Sequence, residues 1–359
     1  MIGMPTSKDV TRIDRRAFLA GVAAVAVPAA SAQAAEIPII DCHIHLFDRT
    51  RAQNAFPGGG RKGPDVPAGA GRKGPDVPLG AAKGGPPRPP RRSVMTPALY
   101  RDIAMPHGIK GAIAIEASPR LDENDWVLET IEKDTIMVGY IGDLEPDKPE
   151  YRQYLEKYHK NPLFLGIRYG TLWNRDLGAM LSNPDFVSGL KLLEQAGMLL
   201  ETANQTPGLI DATLRTTDKV PGLRIVIDHL PQMEPPTDSA ARAAYDTNLR
   251  ELAKRSQVWL KVSEVIRRVD GQVPTDPNFY KPRLDELFGI FGEDHVLFGS
   301  DFPNSDQWGD YQAVMSLVRP YFMAKGRAVA EKYFWKNSIP AYRWVKREAA
   351  QPVLPPAKQ

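Results

Sequence analysis

Short apolar runs recur along the chain, separated by longer segments whose apolar residues fall every three or four positions. The short runs predict buried strands and the longer segments amphipathic helices. The strands are predicted over Ile37 to Asp48, Ile109 to Ala117, Ile136 to Ile141, Phe164 to Tyr169, Met198 to Ala203, Arg224 to His229, Val258 to Ser263 and Val296 to Asp301. Between them, Thr96-Pro97 reads as an N-cap followed by proline at the first helical position, and Asn183-Pro184 opens a helix that Gly197 stops. Further helices start at Asp122 or Asn124 and cover Tyr151 to Tyr158, Leu209 to Lys219, Ala240 to Arg255 and Leu284 to Phe291. Strands alternating with helices imply a parallel sheet, and eight is the number that closes a (β/α)8 TIM barrel. The competitor is a doubly wound open sheet, but no Gly-x-Gly-x-x-Gly follows the first strand.

The strand ends carry the polar residues. Successive strand side chains point to opposite faces, so Asp41, His43 and His45 are predicted to share one face and Ile40, Cys42 and Ile44 the other. Two imidazoles one residue apart at a strand's end can grip one metal ion from the same side. An edge strand with two unconnected histidines is the alternative; Asp-His-His, in place of Lys, Thr or Ser, speaks against it. By the same parity Ile225, Ile227 and His229 share a face, as do Leu297, Gly299 and Asp301, and Trp259, Lys261 and Ser263. The second strand ends in Glu116, the fourth in Arg168 and the fifth in Glu201. A buried unpaired charge is costly, so such residues are paired, metal-bound or functional. For Glu116, Glu201 and Lys261 a structural ion pair is an equal alternative. The C-terminal ends of barrel strands are where active sites sit.

Composition adds limits. A formal charge of +3 over 359 residues gives no case for nucleic acid or a membrane surface. The single cysteine, Cys42, excludes an intramolecular disulfide and reads as a packing residue. Residues 1–34 resemble a twin-arginine export signal: Arg15-Arg16, an apolar Ala/Val/Gly run, then Ala32-Gln33-Ala34 as a cleavage pattern. That predicts a bacterial periplasmic or secreted protein with no membrane span in its mature form. Residues 35–347 are assigned to the barrel and 348–359 to a tail. Residues 49–96 break the alternation: Gly60 to Pro67 recurs as Gly71 to Pro78, and 60–92 hold eight Lys or Arg against two Asp. This composition predicts a flexible insertion; a basic cover over the strand ends is the alternative. His107 and His159 fall at helix ends and His295 before the eighth strand, where ligation is not expected. Tyr321, Phe322, Tyr333, Phe334 and Trp335 predict packing of the last helices or a contact in a homo-oligomer.

Asp41-x-His43-x-His45, Ile227-Asp228-His229 and Gly299-Ser300-Asp301-Phe302-Pro303 resemble the amidohydrolase superfamily, and within it amidohydrolase family 2. That branch includes sugar-acid lactonases, pyrone-dicarboxylate lactonase and carboxymuconate-semialdehyde decarboxylase. Ile167-Arg168-Tyr169, Leu260-Lys261-Val262-Ser263 and Asn337-x-x-x-x-Tyr342 are similar to the lactonase side, and the resemblance covers roughly residues 37–345. It implies His43 and His45 as metal ligands and Asp301 as ligand or base. No lysine stands on the fourth or fifth strand for a two-metal bridge, and the fifth ends in Glu201-Thr202-Ala203 without a histidine. One divalent ion, Zn or Mn, is therefore expected on His43, His45, Asp301 and Glu201 or His229; some lactonases of this branch work without metal, which is the alternative. The implied chemistry is water activated by Asp301, a carbonyl polarised by His229 or the metal, and a carboxylate held by Arg168. Lys261, Ser263, Glu116 and Arg175 complete the expected substrate-binding set. The expected reaction opens a lactone or related cyclic ester of an anionic or sugar-derived small molecule. The rivals are metal-dependent non-oxidative decarboxylation of an unsaturated acid, and a non-catalytic small-molecule binder on a decayed barrel.

Overall fold

The computed structural model describes residues 36–51, 92–269 and 271–355. Both the proposed export signal and nearly all of the Gly/Pro-rich insertion lie outside the described residues. Eight parallel strands form one sheet: β1 Ile39–His45, β2 Ile109–Ile115, β3 Met137–Gly142, β4 Phe164–Arg168, β5 Leu199–Thr202, β6 Arg224–Ile227, β7 Val258–Val262 and β8 Val296–Phe298. They pair in chain order. The barrel closes where the Asp301 amide donates to the His43 carbonyl (2.9 Å) and the His45 amide to the Phe302 carbonyl (2.8 Å). The (β/α)8 barrel expected from the alternation is thus the fold. Seven of the eight observed strands end one to three residues before the apolar runs, because there the backbone turns into the loops that carry the site, while β3 runs one residue further, to Gly142. Where the insertion leaves and returns, Phe47–Asp48 and Val94–Met95 pair as a short antiparallel ribbon.

Helices fill the gaps between strands: α1 Pro97–Ala104, α2 Leu121–Glu132, α3 Tyr151–Tyr158, α4 Pro184–Gln195, α5 Pro207–Lys219, α6 Ser239–Ala253, α7 Pro277–Phe291 and α8 Tyr311–Ala324. One device starts four of them. Thr96, Asn183, Thr206 and Asp276 each cap backbone amides with a side-chain oxygen, and each is followed by a proline whose missing N–H would have had no intrahelical partner. Helix α7 begins two turns before the expected Leu284. Pro282 lies inside it and interrupts the apolar pattern, yet Tyr280, Leu284, Leu287 and Phe291 are all buried along one stripe. Among the described residues no helix is long and apolar enough to cross a membrane.

Two apolar layers hold the barrel. The outer one lies between strands and helices. The inner one takes a side chain from each strand: Ile40, Ile113, Val138, Leu165, Leu199, Val226, Trp259 and Leu297. Tyr342 and Trp344 close it from the end opposite the site. The Arg224 guanidinium, at the start of β6, fixes that plug by donating to the Ala341 carbonyl. His295 belongs to the same end, donating from Nδ1 to the Val258 carbonyl (2.7 Å) and stacking on Trp259. The C-terminal aromatic set is packing: the Phe322 and Tyr333 rings stack with centroids 3.5 Å apart. Part of the expected tail also docks, since Gln351 is buried and donates to the Thr135 carbonyl.

Candidate metal centre and active site

The face shared by Asp41, His43 and His45 is not observed. Register slips between Asp41 and Ile44 against β2. Ile40 and Cys42 enter the lumen, and the irregularity sends His43 there as well. Asp41 turns instead to the helices. Its carboxylate accepts from the amides of Ser300 (2.8 Å) and His43 (3.1 Å) and from the hydroxyls of Tyr100 and Tyr311 (2.8 Å each). Burial pushes Asp41 up and these donors pull it back. Asp41 therefore locks β1 to the segment after β8 and fixes the backbone that presents His43.

Strand β6 departs from parity in the same way. Ile225 and Ile227 pack in the outer layer and Val226 in the lumen. Asp228 accordingly enters the lumen, and a left-handed φ of 49° at His229 turns that ring inward too. Asp228 was missing from the expected site, although the parity of Val226 points to it. Strand β7 follows its pattern. Trp259 lines the lumen, Lys261 reaches the centre, and Ser263 Oγ lies 2.8 Å from His229 Nδ1.

Four side chains converge at the C-terminal ends of the strands. His43 Nε2 is 3.3 Å from His45 Nε2 and 3.3 Å from Asp301 Oδ1. His45 Nε2 is 3.1 Å and His229 Nε2 3.8 Å from the same carboxylate oxygen. Burial holds His43 and His229 well below the usual imidazole range and lowers His45 to about 4. All three are neutral at neutral pH. The His45 Nδ1 faces the Ile115 carbonyl at 3.1 Å, which only accepts, so Nδ1 carries the proton and Nε2 presents a lone pair. That lone pair faces a carboxylate oxygen. His43 Nε2 crowds the same two atoms, and a divalent ion would be shared among these donors. His43, His45 and Asp301, with His229 further off, are the residues that would hold it. His43, His229 and Asp301 also bring ligand atoms within 4.8 Å of one another. The site is built for a single divalent ion.

Glu201 does not join this set. Its carboxylate pairs with Lys261 Nζ at 2.9 Å and accepts from Tyr342, on the Nδ1 side of His43. Glu201 lies before the end of β5, next to Arg168 in register, whereas His45 is the last residue of β1 and Asp301 follows β8. Asp228 bridges Lys261 (2.9 Å) and Arg168 (Nε, 3.2 Å). Burial works against its charge, but Lys261, His43 and Arg168 hold Asp228 well below the usual carboxylate range. Burial and Asp228 together raise Glu201 to about 7.

Nor do Glu116 and Arg175 face the site freely. Arg175 reaches Glu116 (3.2 Å), Glu145 (2.9 Å), the Asp143 carboxylate and the Arg168 carbonyl (3.1 Å). This buried cluster ties the loop after β4 to the ends of β2 and β3. Replacing Arg175 by methionine is expected to cost about 3–5 kcal/mol, because it strands buried carboxylates. Thermal melts read this loss directly; a lone substrate-binding role would raise KM and leave the melt unchanged. Glu264 was not foreseen. It follows Ser263 with a left-handed φ of 46°. Burial, then the neighbouring Asp301, push its carboxyl well above the usual range.

Comparison with known proteins agrees with this picture. The chain is 25% identical over 233 residues to an L-fucono-1,5-lactonase from Burkholderia ambifaria, across 60% of this chain and 76% of that protein. A second L-fucono-1,5-lactonase, from Burkholderia multivorans, is 24% identical across 62% of this chain and 77% of its own length. A crystal structure of an amidohydrolase from Burkholderia multivorans with bound zinc superposes with a TM-score of 0.67 at 19% identity, covering 86% of this chain and all of that one. The barrel, the converging His/Asp centre and a family model matching residues 40–344 give one conclusion: the chain belongs to the amidohydrolase family and carries the site of a catalytic member.

Proposed function

We propose that this protein hydrolyses a lactone or related cyclic ester, with Asp301 as the base that activates water. The observation that carries the reading is the lone pair of His45 Nε2 facing Asp301 Oδ1 at 3.1 Å at the barrel rim. A divalent ion there would lower the pKa of a bound water and polarise the ester carbonyl. His43, His45, His229 and Asp301 are the residues that would hold it. Asp301, buried at the rim beside the three imidazoles, is placed to take a proton from water there. Ser263 fixes the ring of His229 through Nδ1, so that Nε2 is aimed at the same carboxylate oxygen. The two lactonase relatives support the reaction class.

A sugar-derived ring fits better than a carboxylated one. Arg168, Lys261 and Arg175, the cations expected to receive a substrate carboxylate, each have carboxylate partners within the protein. The test is hydrolysis of a panel of aldonolactones and carboxylated lactones, before and after chelation and Zn2+ return. Turnover of aldonolactones that falls on chelation is expected. No turnover of any lactone, with CO2 released from an unsaturated acid, would replace the hydrolase reading by decarboxylation. Ligand binding without turnover would favour the binder. We also propose twin-arginine export, motivated by Arg15-Arg16 and the apolar run after them. Replacing both arginines by lysine is expected to retain the precursor inside the cell, and fractionation with N-terminal sequencing reads the outcome.

A further inference from the structure

Beneath the rim centre lies a second cluster of ligand-type atoms. His43, Glu201 and Asp228 bring ligand atoms within 4.8 Å of one another. All three are fully buried. This seat is filled by the chain itself. Lys261 Nζ lies 2.9 Å from Glu201 Oε1, 2.9 Å from Asp228 Oδ1 and 3.1 Å from His43 Nδ1. Its side chain is fully buried. Gly299 makes room for it: a Cβ there would come within 2.8 Å of His43 Cβ and 3.0 Å of Lys261 Cδ. The second oxygen of Glu201 is buried without a hydrogen-bond partner.

We propose that the Lys261 ammonium is the resident cation of this lower seat and limits the chain to one divalent ion. The inference rests on the rim centre taking an ion and is independent of the substrate. Two buried carboxylates require a positive charge between them. A protonated lysine supplies it permanently, donating to Glu201 Oε1 and pairing with Asp228 Oδ1. It also packs against His43 Nδ1, on the ring whose Nε2 faces Asp301 at the rim. Lys261 acts through Asp228 and His43 and is a positioning residue.

The experiment is Zn2+ titration of the full chain, read as ions bound per chain after removal of free metal. Wild type is expected to saturate at one ion, and Lys261→Ala at two, the additional ion held by Glu201 and Asp228. A control, Lys261→Ala with Glu201→Gln, removes one charge of each sign and is expected to return to one. A wild type that binds two ions, or a folded Lys261→Ala chain that binds no more than wild type, overturns the proposal. A wild type binding none would count against the rim centre, and the increment in Lys261→Ala still decides this inference. Should Lys261→Ala fail to fold, folding of the double variant supports charge compensation. Failure of both would make Lys261 a packing residue and overturn the proposal.

Discussion

Asp301→Asn is expected to lower kcat/KM for lactone hydrolysis by about two to four orders of magnitude, the usual contribution of a positioned general base. Asparagine keeps the shape and can still offer an oxygen to a cation, so the loss should fall on kcat more than on KM. The variant has a second signature. Burial, the largest influence, raises Asp301 to about 7 from an ordinary 3.8. A group raised in this way contributes stability that is complete below its unfolded value and is lost as pH rises through the folded one. Chelator-treated wild type should therefore lose thermal stability between about pH 5 and 8. Asp301→Asn should lose less over the same range. Glu201, also raised to about 7, contributes in both chains and cancels, whereas Glu264 is pushed up by Asp301 and the difference belongs to that pair. For the same reason, added Zn2+ should raise the melting temperature of wild type more at pH 8 than at pH 5. Equal pH dependence in the two chains would remove Asp301 from the titration, and unchanged kcat would remove it from the chemistry.

His43→Ala combined with His45→Ala is expected to abolish stoichiometric Zn2+ binding and to reduce hydrolysis about a thousandfold or more. Losing a Lewis acid costs several kcal/mol at the transition state, and each 1.36 kcal/mol is about a decade in rate. Two of the three imidazoles at the rim disappear, and His229 with Asp301 is too small a ligand set for a closed site. Metal analysis and turnover are read on the same preparation. A variant that has lost its metal but keeps full activity would place catalysis on Asp301, His229 and Arg168 alone. A variant that keeps both would show that the centre lies elsewhere.

Much of this was legible along the chain. Eight apolar runs alternating with helical segments give the barrel, because each strand must bury both faces and each helix one stripe. Proline after a capping residue marked the starts of α1 and α4. His43, His45, His229 and Asp301 stood out because polar residues ended otherwise apolar runs. Parity carried β7 correctly, and Trp259, Lys261 and Ser263 do line the lumen side.

Parity failed where the backbone left the regular strand. The slip after Asp41 and the left-handed residues His229 and Glu264 each change which face a side chain meets. A period of two cannot register such events, and nothing local in the sequence announces them. Partnering is also beyond it. Arg175 and Glu116 are 59 positions apart, and Lys261 and Glu201 are 60 apart. Whether such charges meet a substrate or each other depends on the stagger of neighbouring strands. The sequence by itself determined the barrel, its strand order and the residue types at its rim, because burial and chain alternation are local demands. Only the tertiary structure decided that Glu201 belongs with Lys261 below His43 and that Asp228 joins them. Only it decided that Asp41 clasps the helices, since barrel closure sets the depth at which each side chain enters.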